Sequence, residues 1–242
     1  MIEKNALIIL PGWGGSHETW ADFIALAQRD FNVVCIDLPC FGTEPCPTSV
    51  WGVEEYSNLV FDKIKDSKFQ ILNSRFILLG HSFGGQVAVK VASERPEIFS
   101  HLILIGAAVI RPSRKIRRFI LGKLAQTGKF FFSFPMIEDY GAWFKKVFYA
   151  GIDARDYPRT VGLKREIFKK IIREDLSHLL PEIKIPTLVV WGTHDTYVPL
   201  RDGKKIANLL PNSSLKIIPK GKHGLHLQDP NGLLEIIRAY VQ

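Results

Sequence analysis

Three short runs carry the residues best suited to chemistry. Gly80-His81-Ser82-Phe83-Gly84-Gly85 fits the pattern G-x-S-x-G, with an apolar run before it and a helical pattern after it. A serine on such a turn is exposed at a helix N-terminus, where partial positive charge favours a developing anion. The turn tolerates only small neighbours, a need that Gly80 and Gly84 meet. Serine is a weak nucleophile until a base takes its proton. The chain offers seven histidines. His223, in Gly221-Lys222-His223-Gly224, follows the apolar run Leu215–Ile218, and His226 lies three residues on. His223 is expected to be the base, because it is nearer the strand end in a Gly-flanked loop, and His226 to be structural. His17, His81, His101, His178 and His194 read as surface, capping or loop residues. The side chain of His81 is expected to point away from the hydroxyl. A histidine base needs a carboxylate to hold its tautomer and stabilise the imidazolium. Asp195, in Trp191-Gly192-Thr193-His194-Asp195, lies just beyond the run Thr187–Trp191 and is the expected partner.

Acyl chemistry at Ser82 also requires two N–H groups for the oxyanion. Phe83, next after the serine, supplies one. The other is expected from Pro11-Gly12-Trp13-Gly14-Gly15, through the main chain of Trp13, because small residues let that backbone approach a substrate. These glycines do not form a nucleotide loop, since neither G-x-G-x-x-G nor G-x-x-x-x-G-K-[ST] occurs. No Cys/His cluster has zinc spacing. The expected chemistry therefore involves no cofactor and no metal.

These residues need a frame that brings them to one edge. Ala6–Leu10, Asn32–Ile36, Arg75–Leu79, Leu102–Ile105, Thr187–Trp191 and Leu215–Ile218 read as strands, nearly continuous in Leu, Ile and Val, as where both faces of a sheet are covered. Helical patterns alternate with them at His17–Gln28, Val53–Asp66, Phe83–Glu94, Arg201–Leu210 and Leu233–Tyr240. Such alternation implies an α/β fold with a mostly parallel sheet and helices on both faces. In a parallel sheet Ser82, Asp195 and His223 all fall at the C-terminal edge.

The alternation breaks between Gly106 and Pro186. Helical patterns with basic faces appear at Arg114–Leu124, Tyr140–Tyr149 and Leu163–Glu174, with the aromatic run Phe130-Phe131-Phe132-Ser133-Phe134. Residues 107–180 hold 16 Lys and Arg against 7 Asp and Glu, while the remainder holds 16 against 17. The net charge of +8 thus comes from one middle segment. An α/β core over 1–106 and 187–242 with an insertion over 107–186 is the expected organisation. The basic faces admit a solvated surface, attraction of acidic substrates or an anionic membrane surface, and, last, nucleic acid. No nucleic-acid module is present, and basic charge alone gives only salt-sensitive association.

The 242 residues are 46% apolar and 23% charged, which excludes a disordered chain. No run reaches the roughly 18 apolar residues of a membrane span. The apolar run after Lys4 ends at Pro11 without a cleavage site of small residues, so the chain is expected to start at Met1 and stay in the cytoplasm. Cys35, Cys40 and Cys46 are odd in number, which argues against a secreted disulfide framework. Cys40 and Cys46 could meet in one loop, but unpaired thiols are the expectation.

Together these motifs resemble the α/β-hydrolase superfamily, in particular its small, cap-bearing esterase-like members, over nearly the whole chain. Pro11–Gly15 resembles the oxyanion loop, Asp37-Leu38-Pro39-Cys40-Phe41-Gly42 the D-x-P-G-x-G turn, and Gly80–Gly85 the nucleophile elbow. Trp191–Asp195 resembles the acid loop and His223–Pro230 the histidine loop. The order Ser82, Asp195, His223 is that of the family. Pro11 stands where the family usually has His, Cys40 replaces the usual Gly, and the chain begins at what should be the third of eight strands. The resemblance implies a helical cap at 107–186, whose Phe119, Phe130, Phe131, Phe132, Phe134, Trp143, Phe144 and Phe148 would line a cleft or pack the cap onto the sheet.

The expected activity is hydrolysis of a carboxylic ester or thioester through an acyl-enzyme on Ser82. Carbon–carbon bond hydrolysis, amide hydrolysis and acyl transfer use the same triad. A non-catalytic ligand-binding protein on the same fold is the rival from another class, since fold alone never fixes function. The expected partner is a small acyl substrate.

Overall fold

The fold is that of a computed structural model. It describes residues 4–66, 75–111 and 162–241. The chain divides into two compact units, residues 1–110 with 162–242, and residues 111–161. The elements named here belong to the first unit and are numbered over the described residues.

Six strands form one sheet: β1 (Ala6–Leu10), β2 (Asn32–Cys35), β3 (Phe76–His81), β4 (Phe99–Ile105), β5 (Thr187–Gly192) and β6 (Ser213–Ile218). Their order is β2-β1-β3-β4-β5-β6, and every pair is parallel. All residues of β1, β3 and β5 are buried, which explains their unbroken apolar character. Leu7, Ile9, Ile77, Leu79, Ile103, Ile105, Leu188 and Val190 share one face. They pack there against Trp20, against Phe23 and Ala27 of α1 (Ala21–Ala27), against Leu225 of α6 (Leu225–Gln228), and against Leu233, Leu234 and Ile237 of α7 (Pro230–Val241). The alternate residues Ile8, Leu10, Leu78, Leu102, Leu104 and Val189 are equally buried, as a period of two demands. Against the sheet pack α3 (Phe83–Glu94), with α2 (Val53–Asp66) beside it, and α5 (Leu200–Leu209).

The chain runs from β1 outward to β2, then returns to β3 on the other side of β1. At such a reversal the carboxyl ends of the two inner strands open a crevice. Leu10 of β1 pairs with Gly80 of β3, so residues 11 onward and residue 82 emerge side by side.

Every strand read from the sequence is present. β4 begins at Phe99, three residues before the expected Leu102, because the half-buried Ser100 and His101 interrupt its apolar run. Helix α7 begins at Pro230, since proline at a first helical position lacks only an N–H that would have no partner there. The helices expected at Arg114–Leu124 and Tyr140–Tyr149 lie outside the described residues. So do the aromatic side chains from Phe119 to Phe148.

The helix expected at Leu163–Glu174 is α4 (Gly162–Ile171), which belongs to the first unit. It buries Ile167, Phe168 and Ile171. Gln86 of α3 donates from Nε2 to the carbonyls of Ile171 at 3.1 Å and Glu174 at 2.8 Å. The Glu174 carboxylate in turn accepts the N–H of Val53 at 2.8 Å.

The thiol expectation is corrected: Cys40 and Cys46 form a disulfide, and Cys35 is free. The odd count argues only against a framework of several bridges and is silent on one local pair. Here Cys40 takes φ 77°, and its N–H donates to Pro45 O at 3.2 Å, curling the segment until the two Cα atoms are 4.1 Å apart. Burial pushes the Cys35 thiol up to about 12. Among the described residues no helix is long and apolar enough to cross a membrane.

Candidate active site

Ser82 sits between β3 and α3 with φ 52° and ψ −115°, a conformation that non-glycine residues rarely adopt. The surroundings hold it there. Its N–H donates to Ile105 O at 3.0 Å, and its carbonyl accepts the N–H groups of Gly85 at 3.1 Å and Ala108 at 3.0 Å. The glycines are steric necessities. A Cβ on Gly80 would lie 2.6 Å from Gly84 O and from Gly85 Cα. One on Gly85 would lie 2.5 Å from Ala107 Cβ, and one on Gly84 would overlap the carbonyls of Leu10 and Pro11.

His223 and Asp195 meet. His223 Nδ1 lies 2.8 Å from Asp195 Oδ2. A carboxylate only accepts, so Nδ1 carries the proton and Nε2 is left with its lone pair. The other oxygen, Oδ1, accepts the N–H groups of Tyr197 and Val198, both at 2.9 Å. The Asp195 side chain is 1% exposed and that of His223 15%. The Tyr197 ring stacks on His223 with centroids 4.9 Å apart.

Ile105 and Gly106 join this pair to Ser82. Ile105 O holds the Ser82 N–H, while a Cβ on Gly106 would lie 3.1 Å from both Asp195 Oδ2 and His223 Nδ1. Gly106 has φ 51°, a second reason for glycine at the end of β4. Sequence reasoning passed over it, although a glycine directly after a buried strand at this edge was the available signal.

Of the two loop histidines, only His223 bonds Asp195. His226 is buried and stacks on Trp20 with centroids 3.9 Å apart. Burial, with His223 nearby, pushes it down to about 4. His81 is also buried, and its ring faces the histidine loop. Its Nε2 lies 3.0 Å from His223 O.

The Gly12–Gly15 segment is a turn. Gly15 N–H donates to Gly12 O at 2.9 Å, and Gly14 takes φ 80° at the third position, where a type II turn requires it. Trp13 stands at the corner, where neither neighbouring strand claims its N–H. Its indole packs against Phe41 at 4.8 Å, Phe168 at 5.0 Å and Phe83 at 5.8 Å. Phe83 opens α3, and its N–H has no partner within the helix.

Pro11 cannot brace this loop by a side-chain hydrogen bond, and other groups do so. Ser16 N–H donates to Thr19 Oγ1 at 3.0 Å, and the Thr19 hydroxyl donates to Ser16 O at 2.8 Å. Asp37 accepts the His17 N–H at 2.6 Å and pairs with His17 Nδ1 at 2.6 Å. That hydrogen bond raises the His17 imidazole above its ordinary value. His17 and Asp37 thus tie the end of the loop to the turn after β2. Among the described residues no group of His, Cys, Asp and Glu could hold a metal ion.

A model of the alpha/beta hydrolase fold matches residues 5–230. The chain is 27% identical over 260 residues to the pimeloyl-acyl-carrier-protein methyl ester esterase of Wigglesworthia glossinidia brevipalpis, covering 98% of this chain and 93% of that protein. It is 26% identical over 239 residues to a 2-hydroxy-6-oxononadienedioate/2-hydroxy-6-oxononatrienedioate hydrolase of Paraburkholderia phymatum, covering 91% and 81%. Among solved structures it resembles an esterase from Exiguobacterium antarcticum, with TM-score 0.72 and 18% identity, covering 99% of this chain and 93% of that one. The chain belongs to the α/β-hydrolase superfamily and is an enzyme of that class.

Proposed function

We propose that this enzyme hydrolyses a carboxylic ester or thioester through an acyl-enzyme on Ser82. His223 Nε2 takes the hydroxyl proton as Ser82 Oγ attacks the acyl carbonyl, and gives it to the leaving group as the carbon–oxygen or carbon–sulfur bond breaks. Asp195 holds the Nδ1–H tautomer and offsets the charge of the imidazolium. The N–H groups of Trp13 and Phe83 hold the oxyanion. Water, deprotonated by the same histidine, then releases the acid. The observation that carries this reading is the 2.8 Å bond from His223 to a buried Asp195, at the same carboxyl edge of the parallel sheet as a serine held at φ 52°. The methyl ester esterase among the relatives supports the ester class.

The inserted segment 107–186 is proposed to serve as the helical cap of the family. The relative named as a 2-hydroxy-6-oxononadienedioate/2-hydroxy-6-oxononatrienedioate hydrolase supports a second reading, in which the same triad of this chain cleaves a carbon–carbon bond next to a carbonyl.

The test is turnover of nitrophenyl esters from short to long acyl chains, beside thioester, amide and carbon–carbon analogues, with Ser82→Ala as control. Ester or thioester turnover that disappears in Ser82→Ala, together with covalent fluorophosphonate labelling of the wild type, is the expected outcome. Turnover retained in Ser82→Ala would refute the mechanism. Absence of turnover and labelling in the wild type would refute the acyl-enzyme on Ser82.

A further inference from the structure

His81 has no part in the proton transfers described above, yet its ring lies against both the histidine loop and the Gly12 turn. It is 6% exposed. The partner of its Nε2 is the main-chain carbonyl of His223, at 3.0 Å. A carbonyl only accepts, so this nitrogen carries the proton and Nδ1 the lone pair. The other side of the ring supports the oxyanion loop. A Cβ on Gly12 would lie 2.9 Å from His81 Nδ1 and 3.0 Å from Ser82 Cβ, so the Gly12 backbone rests on both. The remaining neighbours are rings: His223 at 4.7 Å, His226 at 4.9 Å and Trp20 at 6.0 Å.

We infer that His81 is a positioning residue, which sets the main-chain position of His223 through the Nε2–H bond while its ring edge fixes the seat of Gly12. This rests on the reading of Ser82 and His223 proposed above. Asp195 controls how the imidazole is turned, but not how far its backbone stands from Ser82. His81 supplies that second constraint. It is covalently next to Ser82, so nucleophile, base loop and oxyanion loop are referred to one rigid ring. A shift of about 1 Å in such a constellation can cost ~100-fold in rate.

The role also requires a neutral ring. A cation on His81 would face the imidazolium that forms on His223. Among the described residues the titratable groups facing it are His223 and His226, and no carboxylate bonds it. Burial, with those two histidines close by, holds the His81 imidazole well below its ordinary value.

The test compares His81→Leu with His81→Gln. The glutamine amide places its Nε2–H the same number of bonds from Cα as the histidine does, whereas leucine has no donor. Leucine is expected to lower kcat by ~10–100-fold with KM changed less than ~3-fold, and glutamine to restore kcat to within ~5-fold of wild type. The rate of fluorophosphonate labelling should fall and recover in parallel. Urea unfolding of each variant separates lost positioning from lost fold. If the leucine variant does not fold, His81→Asn, whose amide is one carbon too short, takes its place against glutamine. Ring nitrogen NMR of the wild-type enzyme should find the proton of His81 on Nε2. A proton on Nδ1, or equal kcat in the leucine and glutamine variants, would overturn the inference. Failure of the wild-type enzyme to label would instead overturn the reading of Ser82, and this inference with it.

Discussion

Asp195 Oδ2 stands 2.8 Å from His223 Nδ1, while Asp195 Oδ1 is held by two backbone N–H groups of its own loop. The carboxylate is thereby fixed at both oxygens before it meets the histidine. Asp195→Asn would present a donor to Nδ1 and favour the tautomer with its proton on Nε2. Under the proposed mechanism kcat should fall by about 10⁴-fold with little change in KM. Steady-state kinetics on a nitrophenyl ester checks this. A loss below ~10-fold would mean that Asp195 does not set the tautomer.

Substituting the two loop histidines should have opposite consequences. His223→Ala is expected to match Ser82→Ala in lost activity, because the members of a triad act as a unit. His226→Ala should keep most of the kcat but lose about 1–3 kcal/mol of stability, through the cavity left against Trp20. Kinetics and urea unfolding of both variants decide the matter. If the results were exchanged, His226 would be the base.

Acid should destabilise this fold before its carboxylates titrate. His226 titrates near 4 in the folded chain, against ~6.5 unfolded. Below pH ~6.5 the unfolded chain takes up a proton that the folded chain refuses, so stability falls from there to about pH 4, by ~3 kcal/mol for this one group. His81 acts with the same sign. His17 acts with the opposite sign: its raised value favours the fold below pH ~6.5, and that contribution fades as pH rises through the folded value. His226→Phe keeps a ring against Trp20 without a titrating group, so its urea midpoint should fall less steeply between pH 6.5 and 4.5. A slope identical to that of the wild type would refute this account.

Two glycines with positive φ should respond differently to alanine. Gly14 at φ 80° has open space where a Cβ would stand, so Gly14→Ala should cost only the backbone strain, ~1–2 kcal/mol. Gly106→Ala adds a methyl group 3.1 Å from Asp195 Oδ2 and His223 Nδ1 to similar strain. Its kcat should fall at least ~10-fold, since small displacements of a catalytic pair are costly. Equal kcat in the two variants would show that Gly106 does not shape the pair.

The strands were legible because burial on both faces leaves continuous apolar runs, and the three catalytic candidates because each directly follows such a run. The relations across the chain were not. His81 resembles any residue in the x position of its motif, and only its bond to a carbonyl 142 residues away distinguishes it. His17 and Asp37 lie in separate loops, and their pairing depends on β1 and β2 being neighbours. Helix α4 has the basic face of the inserted segment, so composition groups it there, while Phe168 and Ile171 tie it to the core. The Cys40–Cys46 bridge depends on the backbone at Cys40 turning to positive φ, which no composition rule reports.

The contact between Gly84 and the carbonyls of Leu10 and Pro11 is backbone against backbone, with no side chain between. The gap between the Gly12–Gly15 turn and the start of α3 is therefore set by the backbones of β1 and α3 and not by rotamers that can relax independently. Local fluctuations of side chains leave it unchanged, and only an opening of the central strands widens it. The amides of β1 and β3 should accordingly be among the slowest in the chain to exchange with solvent deuterium. In rising urea, activity and these central amides should be lost in a single cooperative step.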